Sequence, residues 1–414
     1  MKTGGRIIGE GEDGCVLSEP MWPCTKGTHA ILPDPRDPRY VSKIVDRSDD
    51  ESDYIRAAIR ILGPELSLTH IVQLKGECPP ASNEHPPSSQ DSNVFHNAKA
   101  AVLKWQNPEQ ACGKLKQELK GHSDITLSHT VMYLSKYPMS LSDWGAQIHS
   151  IKSSNDLLIA IPQFITVLQK LYQTSFEQLV NIDLHAGNIF VRPSHKGIKL
   201  GVADFGHCLY RQNVTGSGIL FFGKYLCEYT AIYSLYSDYI QIPLEARLLN
   251  FCYKKKLEYT TPNEFIQTWL RDPDVIKHQK ELPDSILIDH TNHMTTLLTK
   301  PLFIAMIESI QDISRKLHLN PSNPRGITLS LSANEKIVLE YIITRYGLIS
   351  PINVISAVCN SNQKIRDIPF DTFITSAIDA PYIQTGSSLP SVLASIQGAD
   401  LGILWADTVE STDS

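Results

Sequence analysis

The segment Asn181–Gly206 reads NIDLHAGNIFVRPSHKGIKLGVADFG, and it decides how the rest of the chain is interpreted. It contains Asp183 and Asn188 in the pattern D-L-x-x-x-N, and Asp204 in the tripeptide D-F-G sixteen residues after Asn188. The residues between Asn188 and Asp204 predict a short β-hairpin. The pattern therefore places an aspartate and an amide on a tight loop before the hairpin, and a second aspartate directly after it.

These residue types suit the transfer of a phosphoryl group. A carboxylate such as Asp183 can accept the proton of an attacking hydroxyl. The oxygens of Asn188 and Asp204 are of the kind that Mg²⁺ prefers when it bridges the phosphates of a nucleotide. Asp and Asn are also common in turns, but the two patterns in this order are more specific than either one alone.

Two features near the start of the chain fit the same chemistry. Residues Gly9–Val16 (GEGEDGCV) follow the pattern G-x-G-x-x-G-x-V, whose glycines let backbone N–H groups approach a phosphate closely. A similar motif marks dinucleotide-binding folds, but here strand-like residues follow it directly, which favours a β-hairpin over a strand–helix junction. Lys43 then lies in the predicted strand YVSKIV, where its ammonium can contact phosphates.

Periodicity and chain breakers predict the other elements. We expect two strands within 5–18, single strands at 40–45, 98–105, 127–135, 189–192 and 198–203, a helix from Ser48 to Gly63–Pro64, a helix over 155–174, mostly helices over 219–310, and a helix from Ser332 to Gly347. The Pro-rich stretches 19–39 and 76–97 are expected to be loops, the second a mobile insertion.

The carboxylate that pairs with Lys43 is left open by the sequence. Glu51 and Asp53 both lie at the start of the helix that follows the Lys43 strand. Ser48 and Glu51 also have the spacing of a capping box, so Glu51 could serve only to cap the helix.

Composition excludes several classes of function. The net charge is −6, so we expect neither nucleic acid nor an anionic membrane as a partner. No apolar run of about 18 residues and no signal peptide is found, so we expect a cytoplasmic protein without a membrane span. The eight cysteines include no C-x-x-C pair, and we interpret them as reduced thiols rather than zinc ligands or disulfides.

In this order, the four motifs resemble those of the eukaryotic-type protein kinase family. Four segments are similar in sequence to serine/threonine kinases of large nucleocytoplasmic DNA viruses. They are Gly9–Val16, the Pro/Cys segment ending at Cys24, Tyr40–Ile44 and Asp183–Ile189. The resemblance implies an α+β, bilobal fold. Its parts would be a β-rich N-lobe over 1–138 with insertions at 19–39 and 76–97, a helical C-lobe over 139–325, and a helical extension with a partly irregular tail over 326–414.

The resemblance also implies the roles of individual residues. ATP and Mg²⁺ would be the cofactors, Asp183 the catalytic base, Lys43 the phosphate anchor, and Asn188 and Asp204 the metal ligands. The residues that would bind ATP are Gly9, Glu10, Gly11, Gly14, Val16, Lys43, and Ser135 and Tyr137 near the adenine. The partner would be a protein substrate, and a viral kinase would act in the host cytoplasm or the virion.

Several departures from the family pattern keep alternatives open. The usual H-R-D is Asn181-Ile182-Asp183 here, the usual lysine two residues after the aspartate is His185, and no A-P-E follows Asp204. The string D-L-H-x-G-N also occurs in aminoglycoside and choline kinases, so a small-molecule hydroxyl could be the acceptor. A pseudokinase scaffold is the third hypothesis. We interpret His185 and His207 as loop or core histidines.

Overall fold

The computed structural model describes only part of the chain. The described residues are 6–10, 14–27, 32–108, 110–121, 124–147, 151–173, 177–195, 197–212, 244–258, 260–273, 275, 298–299, 301–318, 331–344, 347, 351, 354–355 and 358. They form a mixed α+β protein, with a sheet-rich N-terminal region and helices later in the chain.

The chain divides into two compact units. The first takes in the described residues up to Met139, together with Phe190–Arg192 and Gly201–Gly206. The second takes in the described residues of Ser140–Ile189 and Pro193–Leu200, and those from His207 onward. The D-F-G segment therefore belongs to the first unit, and the D-L-x-x-x-N segment to the second.

A five-stranded antiparallel sheet forms the centre of the first unit, with the order β1-β2-β3-β5-β4. The strands are β1 (Arg6–Glu10), β2 (Gly14–Ser18), β3 (Tyr40–Asp46), β4 (Leu74–Cys78) and β5 (His129–Ser135). Lys43 lies in the central strand β3, opposite Val16 of β2 and Met132 of β5. The strand predicted over 127–135 is confirmed for residues 129–135.

Helix α1 (Glu51–His70) follows the central strand. Gly63 interrupts it with a φ of 74°, a conformation that a side chain would disfavour, and Pro64 follows inside the helix. The prediction that the helix ends at Gly63–Pro64 is therefore right about the break, but wrong about the end, because a further helical segment continues to His70.

The segment expected to be a mobile insertion (76–97) and then a strand (98–105) begins within β4 and is helical in its second half. That half contains a 3₁₀ turn (Ser89–Asp91) and helix α2 (Ser92–Leu103); helix α3 (Ala111–Lys120) and the short helix α4 (Ile125–Ser128) follow the segment. The predicted strand 98–105 was wrong because Val94, Phe95, Ala98 and Val102 recur at helical spacing and are all buried. Phe95, Ala98 and Val102 belong to one core cluster with the sheet residues Cys15, Ile44 and Val131 and the loop residue Trp22.

Two disulfides join helix α3 and the N-terminal loop to the sheet. Cys15 of β2 is bonded to Cys112 of α3, with the Cα atoms 4.8 Å apart, and Cys24 is bonded to Cys78 of β4, with the Cα atoms 5.8 Å apart. The expectation of reduced thiols is wrong for these four residues. Their sequence separations of 97 and 54 residues carry no local pattern, which is why spacing could not reveal the pairs.

The predicted hairpin forms as strands β8 (Ile189–Ser194) and β9 (Gly197–Val202), with the short strand β6 (Met139–Ser140) beside β8. A separate antiparallel pair consists of β7 (Glu177–Asn181) and β10 (Cys208–Gln212). The D-L-x-x-x-N loop thus starts at the end of one strand, β7, and ends at the start of another, β8.

The described helices of the second unit are α5 (Leu141–Gln147), α6 (Ile151–Gln173), α7 (Leu244–Lys255), α8 (Pro262–Arg271), α9 (Pro301–His318) and α10 (Ala333–Thr344). The helix predicted over 155–174 is confirmed as α6. The capping box of α10 is also confirmed, because Ser332 and Glu335 exchange hydrogen bonds of 2.6 and 3.2 Å.

Helix α10, in the stretch predicted to be an extension, packs against α9, and Lys316 of α9 is ion-paired with Glu335 at 2.6 Å. The predicted tail beyond residue 358 lies outside the described residues. Among the helices that the structure describes, none is long and apolar enough to cross a membrane.

Candidate functional site

Lys43 is the centre of a buried ion cluster in the first unit. Its ammonium lies 2.7 Å from Oε2 of Glu51 and 3.0 Å from Oδ1 of Asp204. Lys43 is 6% exposed and Glu51 is fully buried, whereas the side chain of Asp204 keeps 39% of its surface exposed. A buried lysine requires such partners, because an unpaired charge in the interior is very costly.

Glu51 rather than Asp53 is the partner of Lys43. Asp53 is directed elsewhere and forms an ion pair with Arg56 at 2.9 Å. The predicted capping box at this helix is wrong: Ser48 donates to Asp46, and the residue preceding the helix, Asp50, forms no side-chain cap. Glu51 therefore takes no part in capping the helix, and its carboxylate lies in the ion cluster.

A backbone hydrogen bond next to the start of β4 holds the segment before Asp204 close to the sheet. The N–H of Val72, just before β4, donates to the carbonyl of Val202 at 3.0 Å, two residues before Asp204. A side chain at Gly201 would collide with the ring of Phe190 and with the carbonyl of His70, at 2.3 and 2.6 Å. The absence of a side chain at Gly201 thus allows β9 to lie close enough for this bridge.

The D-F-G backbone fixes two carboxylates at once. The N–H of Gly206 donates to Oδ1 of Asp204 at 3.0 Å, and the N–H of Phe205 donates to Oε1 of Glu51 at 3.3 Å. Phe205 itself is buried. The tripeptide therefore orients both its own aspartate and the glutamate of α1 around the Lys43 ammonium.

The two carboxyl groups of the cluster differ in their proton affinity. Burial raises the pKa of Glu51 to about 8; the Lys43 ammonium opposes this shift, and the negative charge of Asp204 adds to it. At Asp204 burial also acts to raise the pKa, but Lys43 and the Gly206 N–H outweigh it and lower the pKa to about 2. Because one ammonium serves two carboxyls, the more exposed Asp204 retains its charge and Glu51 holds its proton more tightly.

The pKa of Lys43 is raised. Burial alone would lower it, but the Asp204 and Glu51 carboxylates outweigh that effect. The ammonium is therefore charged across the physiological pH range, as a phosphate anchor requires.

Gly14 makes room for the side chain of Lys43. A Cβ at Gly14 would lie 2.4 Å from Cε and 3.0 Å from Cγ of Lys43, so the lysine stem crosses the strand where no side chain is present. A Cβ at Gly9, in contrast, would meet Val16 at an ordinary 3.6 Å. Of the other residues predicted to bind ATP here, Glu10 ends β1 opposite Cys15, and Gly11 lies outside the described residues.

The residues predicted near the adenine lie at the end of β5. Ser135 is hydrogen-bonded to Gln73 through both its N–H and its side-chain oxygen, at 2.9 Å each. The ring of Tyr137 stacks on Phe190, with the centroids 5.3 Å apart and the planes at 19°. These contacts neither support nor contradict a role in base binding, which stays a prediction.

The second unit holds Asp183 and Asn188 in a loop that fixes its own shape. The N–H of Asp183 donates to Oδ1 of Asn181 at 2.9 Å, and Nδ2 of Asn188 donates to the carbonyl oxygen of Asp183 at 2.9 Å and lies 3.4 Å from Oδ2. The N–H of Ile182 donates to the carbonyl of His207 at 3.0 Å. A network of this kind presents the Asp183 carboxylate in a defined position.

No family model matches the chain, and no curated protein matches it. The candidate site therefore rests on the geometry of the chain and on its motifs.

Proposed function

We propose that the protein is an ATP- and Mg²⁺-dependent phosphotransferase with a bilobal protein-kinase-like fold, which transfers the γ-phosphate of ATP to serine or threonine hydroxyls of a protein substrate. The observation that carries the proposal is the buried Lys43 ammonium between Glu51 and Asp204. This arrangement holds residues of three separate segments, β3, α1 and the D-F-G, in the contact expected for a phosphate anchor, its supporting carboxylate and a metal ligand.

In the proposed reaction the acceptor hydroxyl oxygen attacks the γ-phosphorus in line, and the bond from that phosphorus to the β–γ bridging oxygen breaks, releasing ADP. Asp183 orients the hydroxyl and accepts its proton. Lys43 anchors the phosphates, and the backbone N–H groups of the Gly9–Val16 segment lie over them. None of these roles needs a covalent enzyme intermediate.

Asn188 and Asp204 would hold Mg²⁺. The donor set fits this ion, because a carboxylate with its pKa at about 2 stays ionised and an amide oxygen is a further hard ligand. When bound, Mg²⁺ neutralises negative charge that develops on the transferred group. Asp204 would also keep the ammonium of Lys43 in place through the 3.0 Å contact between them.

A protein acceptor is favoured by the G-x-G-x-x-G-x-V segment and the D-F-G. A small-molecule acceptor is the second candidate function, and the D-L-H-A-G-N string is the observation that favours it. A pseudokinase scaffold is less well supported, because Lys43, Asp183, Asn188 and Asp204 are all present.

The test is phosphate transfer from radiolabelled ATP·Mg²⁺ to basic and acidic generic proteins, to aminoglycosides and to choline. The parent protein is compared with Asp183→Ala. We expect labelling of a protein substrate that depends on Asp183. Turnover of a small molecule alone would replace the protein-kinase proposal with the second candidate, and equal labelling by parent and variant would support the scaffold.

A further inference from the structure

His185 lies beside Asp183, and its imidazole is held by the backbone of its own loop. The N–H of Gly187 donates to Nδ1 of His185 at 3.0 Å. A Cβ at Gly187 would lie 2.7 Å from Cε1 and 3.0 Å from Nδ1 of the ring. The ring thus occupies the space that the side chain of any other residue at position 187 would need. The position of the His185 ring therefore depends on the glycine at 187.

The hydrogen bond from Gly187 determines which ring nitrogen carries the proton. A backbone N–H can only donate, so Nδ1 must be the acceptor. In the neutral imidazole the proton is then on Nε2, and that nitrogen is a donor. The loop backbone therefore selects the tautomer and at the same time fixes the direction in which the ring donates.

Nε2 of His185 faces the carboxylate of Asp183. The distance from Nε2 to Oδ2 is 3.9 Å, and the two side chains are each 45% exposed. This is longer than a hydrogen bond, and a movement of about 1 Å would form a direct bond. Oδ2 is also the oxygen approached by Nδ2 of Asn188, at 3.4 Å.

We propose that His185 is a positioning residue for Asp183: in the reacting arrangement its Nε2–H donates to Oδ2 and, together with Asn188, fixes the rotation of the carboxylate toward the acceptor hydroxyl. The inference rests on the proposed function and deepens it. It gives His185 a role in place of that of a loop or core histidine. Catalytic hydrogen bonds are often long in an enzyme without substrate and shorten when the substrate is bound.

Two variants separate this role from a structural one. His185→Asn keeps an oxygen that can accept the Gly187 N–H in an Asx turn, but it removes the donor near Asp183. His185→Gln extends an amide N–H to about the position of Nε2 and restores a donor. Both side chains are polar and suit an exposed loop, so both variants are expected to fold, which thermal unfolding checks.

The experiment measures kcat and the KM for ATP of the parent, both His185 variants and Asp183→Ala in one assay. We expect His185→Asn to lose between about tenfold and about a hundredfold in kcat, part of the ~10²–10⁴-fold that a positioned base contributes, with the KM for ATP within about threefold. His185→Gln should recover much of this loss. The ¹⁵N shifts of His185 in the parent should show the Nε2–H tautomer.

The outcomes distinguish the inference from the proposed function. If the parent is active, Asp183→Ala is inactive and His185→Asn equals the parent, the positioning role is wrong while the proposed function stands. A loss confined to the KM for ATP, or an Nδ1–H tautomer, also overturns it. A parent with no transfer to any acceptor overturns the proposed function and the inference with it.

Discussion

The Lys43 cluster and the Asp183 loop are stabilised in opposite ways. The Lys43 cluster joins residues up to 161 positions apart, and it depends on burial and on the sheet of the first unit. The Asp183 loop spans residues 181–188, and most of its hydrogen bonds join its own backbone and side chains; one joins Ile182 to His207. Tertiary packing therefore creates the first, whereas local sequence creates the second.

Because of this difference, substitutions in the Lys43 cluster and in the Asp183 loop should have different effects. A change in the cluster leaves a buried charge without its partner, so it affects stability together with function. A change in the loop alters a half-exposed carboxylate and its neighbours, so it affects function with little effect on stability. The predictions that follow test this separation, beginning with the largest effect.

Lys43→Met should abolish phosphate transfer and destabilise the protein. It removes the ammonium and leaves Glu51 and Asp204 facing each other, and breaking a buried ion pair costs about 3–5 kcal/mol. Chemical denaturation measures the free energy of unfolding, and the assay described above measures transfer. Lys75→Met, at an exposed position of β4 in the same sheet, is the matched control and should change neither. A stable Lys43→Met protein would show that the ion cluster does not support the fold.

The two disulfides should make the first unit sensitive to reductant. Loss of a native disulfide typically costs about 2–5 kcal/mol, and the Cys15–Cys112 bond closes the longer loop. Peptide mapping after alkylation in denaturant without reductant should find these two residues, and Cys24 with Cys78, in cross-linked peptides. Cys208 and Cys252, both buried and outside these disulfides, are the internal control and should be alkylated. Alkylation of all six would restore the expectation of reduced thiols.

Sequence reasoning succeeded where the signal is local and failed where it is not. The β8–β9 hairpin, helix α6 and the Ser332–Glu335 capping box follow from periodicity and caps over a few residues. The sequence could propose Glu51 but not choose it over Asp53, because the choice depends on which carboxylate is turned toward β3. The disulfides depend on contacts between distant segments, and the strand predicted at 98–105 gave way to a helix whose apolar face packs on the sheet.

Gly14→Ala should weaken the cluster without removing any charged group. The added Cβ would overlap Lys43 Cε, so the lysine must shift, and overpacking of this kind costs about 1–3 kcal/mol. The KM for ATP should rise because the proposed phosphate anchor, Lys43, is displaced. Gly9→Ala is the control, since its Cβ finds ordinary contact and its effect should stay within about 0.5 kcal/mol. Equal effects of the two substitutions would mean that the glycines provide flexibility of the segment and not space for the Lys43 side chain.

The last prediction concerns the pH dependence of stability and isolates Glu51. Its pKa in the folded protein, about 8, lies above the ordinary 4.5, so the folded state binds the proton more tightly than the unfolded state. The resulting stabilisation is complete below pH 4.5 and is lost as the pH rises through about 8. With a chelator present, the free energy of unfolding of the parent should therefore fall relative to that of Glu51→Gln between about pH 5 and about pH 9. A difference that instead grows in favour of the parent as the pH rises would mean that the pairing with Lys43 dominates over burial, and that both carboxylates of the cluster are ionised together.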